Sequence, residues 1–118
     1  MEIPKPSDAD KERFRSLVPD DPRVEVKAMF GNLGAFVNGN MFMGLFGPAV
    51  GVKLAPGDAA RLREIDGAGP FGPAERPMGG YVTLPPSLIA TVEGDRWVAR
   101  ALAQVGALPP KRPKSSKG

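Results

Sequence analysis

Apolar and polar positions change period several times along the chain, and each change marks an element. Phe14, Leu17 and Val18 recur at helical spacing. Ser7 or Asp8 can cap that helix, with Asp10 and Glu12 in its first turn complementing the dipole. It stops before Pro19, and Asp20, Asp21 and Pro22 form a turn. From Arg23 the period falls to two: Val24, Val26 and Ala28 alternate with Glu25 and Lys27, as in a half-buried strand. Further strands are predicted over 33–37 and 41–46, separated by Asn38, Gly39 and Asn40. Asn-Gly between apolar runs favours a hairpin, because both turn residues sit at positive φ. Gly47 and Pro48 break the chain again, and Val50, Val52 and Leu54 mark a fourth strand. Pro56 to Ile65 reads as a helix, with Leu62 and Ile65 on one face. Residues 67–80 hold eight Gly or Pro in fourteen positions and read as a loop. Tyr81 to Leu84 is a short strand ended by Pro85 and Pro86. Ser87 is placed to cap a final helical region in which Leu88, Val92, Trp97, Val98, Ala101, Leu102 and Val105 recur, with Gly94 dividing it.

The order helix, strands, helix, strand, helix predicts an α+β fold: two layers, an antiparallel sheet of four to five strands, and helices packed on one face. Pairing across Asn38 and Gly39 places Ala35, Val37 and Phe42 on one face and Phe36, Met41 and Met43 on the other. Both faces are then apolar. Three helices cover one of them, and the other calls for a protein partner or a second copy of the chain. A domain over residues 10–108 is expected, between a flexible N-terminus (1–9) and a disordered basic tail (109–118).

Composition narrows the chemistry. The 118 residues include no His and no Cys, which removes imidazole bases, thiolate nucleophiles, disulfides and thiolate zinc sites. Catalysis would rest on carboxylates, Lys, Ser or Tyr alone. Gly and Pro total 29 residues, a level at which disorder becomes an option, but 42% hydrophobic content supplies a core. The net charge of +3 belongs to the terminus: residues 111–118 carry four basic and no acidic side chains, leaving residues 1–110 with 12 basic and 13 acidic, a net of −1. That is not the footprint of a nucleic-acid-binding domain. No run of about 18 apolar residues occurs and the first ten residues lack an apolar signal core, so a cytoplasmic location is expected.

Several motifs lose to their context. Gly67, Gly69 and Gly72 have dinucleotide-fingerprint spacing, yet they follow a helix and are interrupted by Pro70. Gly31 to Gly34 has the spacing of an RNA-clamping G-x-x-G loop, but joins strands and carries no charge. Asp20 and Asp21 could pair on a metal but sit in a turn beside Pro22, and no serine has the context of a nucleophile. The cluster of Met29, Phe30, Phe36, Met41, Phe42, Met43 and Phe46 reads first as sheet core and second as an adaptable binding surface. Tyr81 and Trp97 read as core.

The run Met29-Phe30-Gly31-Asn32-Leu33-Gly34, followed by Phe36-Val37-Asn38-Gly39-Asn40-Met41-Phe42, resembles the signature of the TfoX/Sxy N-terminal domain family. Arg76-Pro77-Met78-Gly79-Gly80-Tyr81, with Leu84 and Pro85, resembles the family's second block, and the resemblance runs over about residues 10–110. Asn32 stands where the family commonly has a second glycine; Asn also tolerates the left-handed region. A second, C-terminal domain of the kind found in full-length competence regulators is not expected after residue 110. The resemblance implies a secretion-chaperone-like α+β fold and a non-catalytic regulatory or interaction module, with links to transcriptional regulation and competence in bacteria. It implies no catalytic residue, metal or cofactor. The motif residues Met29, Phe30, Gly31, Gly34, Gly39, Met41, Phe42, Pro77, Met78, Tyr81 and Pro85 are then structural, with Gly31, Gly34 and Gly39 setting turns while Met29, Phe30 and Phe42 pack. The expected partner is a protein or a second copy. The alternative is a nucleic-acid-binding regulator whose Lys111, Arg112, Lys114 and Lys117 contact phosphates; a small carboxylate or lysine enzyme comes last.

Overall fold

A computed structural model describes residues 5–29, 31–73 and 75–109. Helix α1 (Asp8–Leu17) starts at Ser7, whose hydroxyl accepts from the Asp10 amide while the Asp10 carboxylate accepts from the Ser7 amide. This reciprocal capping satisfies two otherwise orphaned donors. Strands β1 (Val24–Met29), β2 (Asn32–Val37), β3 (Asn40–Phe46) and β4 (Ala49–Lys53) follow as consecutive hairpins, and then helix α2 (Pro56–Arg63). A two-residue strand β5 (Gly69–Pro70), strand β6 (Tyr81–Thr83), a 3₁₀ turn (Pro86–Leu88) and helix α3 (Val92–Gly106) complete the order.

All neighbouring strands are antiparallel, in the order β1-β2-β3-β4-β6-β5. The sheet has six strands, one more than the upper sequence expectation, because Gly69 and Pro70 pair with Thr83 and Val82 inside the expected loop. The β2–β3 turn is the anticipated tight one: Val37 pairs with Asn40, and Asn38 and Gly39 lie at φ 54° and 80°.

The faces differ from expectation at one residue. Ala35 opposes Met43 and Phe36 opposes Met41, so Phe42 is an extra residue on β3, a bulge. The bulge restores phase, and Met43 joins Ala35 and Phe42 in the core, not the opposite face. On that side Phe14 and Leu17 of α1, Ala59 and Leu62 of α2, and Val98, Ala101 and Val105 of α3 cover the sheet. Helix α3 lies across β2, β3 and β4, α2 packs on β6, and Arg100 of α3 reaches Asp58 of α2 at 3.3 Å.

Helix α3 begins later than the pattern suggested. Its cap is Thr91, whose hydroxyl accepts from the Gly94 amide at 3.1 Å; Ser87 instead lies within the 3₁₀ turn. The break falls at Ala90, φ 68°, and Gly94 lies inside the helix instead of dividing it. A Cβ at Gly94 would stand 2.1 Å from the Leu88 carbonyl oxygen, so the glycine lets the 3₁₀ turn pack onto the helix start.

Candidate functional site

The face turned away from the helices is where the chain departs from ordinary packing. Gly34 opposes Gly44, and Gly44 opposes Gly51, so three adjacent strands carry glycine at one level. This row leaves a trough without side chains. Phe71 fills one end: a Cβ at Gly51 would lie 2.3 Å from its ring, which is 3% exposed. The ring packs edge-on to Phe46 at 6.2 Å and lies 6.0 Å from Tyr81. At the other end Met41 lies over the row, its Sδ 2.9 Å from where a Gly34 Cβ would be.

The Phe71 segment is pinned from both sides. The Met78 amide donates to the Phe71 carbonyl at 2.8 Å, and the Thr83 hydroxyl donates to the Pro70 carbonyl at 2.8 Å. Between this segment and β1–β3 an open apolar pocket of about 320 Å³ remains, lined chiefly by Met29, Met41, Phe46, Phe71, Pro73 and Met78. Asn32, 5% exposed, is the polar side chain in the lining; its Oδ1 accepts from the Gly47 amide at 2.8 Å and ties the start of β2 to the β3–β4 turn. Asn32 therefore acts through its side chain; the positive φ in this run belongs to Gly31.

Tyr81 stands beside Phe71, outside the pocket lining. Its hydroxyl donates to the Met41 carbonyl at 2.9 Å, and burial pushes the phenol up to about 12. Two lysines border the face, Lys53 at 5.7 Å from the Tyr81 ring and Lys27 at 5.3 Å from Phe36. The lining holds no titratable group, so the pocket offers shape and apolar contact, with methionines that can adjust to an occupant.

Met29, Gly34, Met41, Met78 and Tyr81 come together on this face, although their motif blocks are far apart in sequence. Gly34 sets no turn; it sits mid-strand, where the space above it is used by Met41. Gly31 and Gly39 lie in turns, Phe42 is in the core, Pro85 is buried and Pro77 is exposed. Phe30 and the tail residues Lys111, Arg112, Lys114 and Lys117 lie outside the described residues. The Asp20-Asp21 turn is engaged elsewhere: Asp21 takes three hydrogen bonds from Arg23, whose guanidinium and amide hold the carboxyl down at about 2.

Phe71 escaped the sequence reading. The one aromatic residue in a Gly/Pro-rich stretch was its signal, together with glycines that coincide once the strands are aligned. Fold and face together define a small α+β domain with an open apolar surface. The chain belongs to the TfoX N-terminal domain family, whose model matches residues 13–105. No curated protein and no solved structure matches it. Among the described residues no helix is long and apolar enough to cross a membrane.

Proposed function

We propose that this domain is a non-catalytic regulatory module of the bacterial cytoplasm that works by protein contact, with the family pointing to transcriptional regulation and competence. The observation that supports the reading is the open pocket of about 320 Å³ on the helix-free face, apolar apart from Asn32 and without an acid, base or nucleophile in its lining. Such a cavity suits an aromatic or aliphatic side chain of a partner, seated over the glycine row between Met41 and Phe71.

The test is capture from the source cytosol with the full chain and a Phe46→Lys variant, each with and without nuclease. Phe46 is half-buried at the pocket wall, so the charge enters the pocket without entering the core. A protein retained by the native chain after nuclease treatment, and lost with the variant, is the expected result. Retention indifferent to Phe46→Lys overturns the pocket reading. Retention abolished by nuclease transfers the function to nucleic acid, with the basic side chains of residues 111–118 as its contacts.

A further inference from the structure

The two edges of the sheet are finished differently. At one edge β5 is two residues long and ends in Pro70, which has no amide hydrogen to offer. At the other, β1 is six residues long and contains no proline. Residues 25–28 are exposed in sequence, and among the described residues no element other than β2 hydrogen-bonds to their backbone. Val26 is 38% exposed although it opposes fully buried Ala35, so the helical layer stops short of this strand. An edge of this kind is a template for another strand.

We propose that β1 pairs antiparallel with β1 of a second copy of this chain, Val26 opposite Val26, so that two sheets join edge to edge. The charges select this arrangement. With Val26 on the two-fold axis, Glu25 of each copy faces Lys27 of the other, and Val24 faces Ala28. The opposite charges meet on the pocket side, and the apolar residues meet on the helix side. Sliding the strands by two residues sets Glu25 against Glu25 or Lys27 against Lys27. Sliding by one sets Val26 against a charge, and in-register parallel pairing sets like charges side by side. Glu25 and Lys27 are available for the exchange: their side chains are 74% and 53% exposed, and the contact between them within one chain is long, 3.9 Å. The proposal does not depend on the pocket, since the helix-free faces of both copies stay open.

A single strand edge buries less than the roughly 1,600 Å² of a standard interface, so the dimer is weak and forms at high micromolar concentration. Sedimentation velocity over a concentration series reads it. Either Glu25→Lys or Lys27→Glu alone turns both cross-pairs repulsive and is expected to weaken association about tenfold or more. Mixing the two variants sets two positive positions on one copy against two negative positions on the other, and is expected to restore a dimer that neither forms alone. A native chain that stays monomeric throughout the series overturns the proposal. So does a dimer indifferent to both reversals, or a mixture that fails to associate. The chain contains no cysteine, so Val26→Cys gives an independent check. Mild oxidation yields a covalent dimer from this variant and none from the exposed control Gln104→Cys; equal cross-linking in both counts against the register.

Discussion

Replacing Gly51 by Ala adds a single methyl group to a strand and should nevertheless destabilise the domain substantially. The added Cβ would stand 2.3, 2.4 and 2.6 Å from three atoms of the Phe71 ring, at the root of the side chain, not at a flexible tip. The ring must leave its seat. Exposing a buried phenylalanine forfeits about 2–3 kcal/mol, and losing its packing on Phe46 and Tyr81 forfeits about 1 kcal/mol more. Ala in place of Gly in a strand returns about 0.5–1 kcal/mol, which leaves a net loss of about 2–3 kcal/mol. Denaturant unfolding followed through the single tryptophan, Trp97, measures it. The decisive comparison is a cycle with Phe71→Ala. Once the ring is gone the three atoms nearest the methyl are removed, so Gly51→Ala in that background should cost far less than in the native chain. Gly34→Ala is the control. Its Cβ would press on Met41 Sδ at 2.9 Å and on the Phe36 ring edge at 3.0 Å; these side chains can yield, at no more than about 1 kcal/mol. Additive losses for Gly51→Ala and Phe71→Ala, or a Gly51→Ala chain as stable as the native one, would refute the idea that Phe71 is seated on the glycine row.

Helix propensity alone favours Gly94→Ala by about 1 kcal/mol, but the methyl would collide with the Leu88 carbonyl at 2.1 Å. The substitution should therefore lower Tm, and a rise would show that the 3₁₀ turn adjusts freely. Tyr81 gives a pH signature. Its proton is held in the folded chain up to about 12 and released near 10 in the unfolded one, so its contribution to stability is intact below pH 10 and lost as pH rises toward 12. It is the only tyrosine, so phenolate absorbance reports it directly, and a midpoint near 10 in the folded protein would contradict its burial. Tyr81→Phe should remove that part of the alkaline loss and cost about 1 kcal/mol at neutral pH through the lost bond to the Met41 carbonyl.

Local rules carried most of the fold. Ser7 with Asp10, the alternation from Val24 to Ala28, and the Asn38-Gly39 turn each act within a few residues, and the elements form where those signals lie. The misreadings have separate causes. Phe42 bulges out of the β3 ladder and carries Met43 with it into the core. Ser87 follows two prolines and stays in the 3₁₀ turn, so the cap passes to Thr91. The candidate site was half legible. Met29, Met41, Met78 and Tyr81 stood out as motif residues, and a second apolar face was anticipated. That the chain folds its own Phe71 onto that face, leaving a pocket instead of a bare sheet, depends on glycines that share a level only after the strands pair.

The row formed by Gly34, Gly44 and Gly51 also sets how the two sides of one sheet respond to genetic change. On the helix side the positions are filled, and harm comes from trimming: Phe42, Val52 or Val82 reduced to Ala leaves a void. Along the row harm comes from growth, greatest at Gly51, smaller at Gly34 and least at Gly44, where a Cβ would reach only ordinary contact distance. A saturation scan of β2, β3 and β4 should therefore alternate in sign around these glycines, intolerant of larger residues at Gly51 and, less strongly, Gly34, and of smaller ones at the buried positions on either side. That alternation would trace the groove without any knowledge of what binds there.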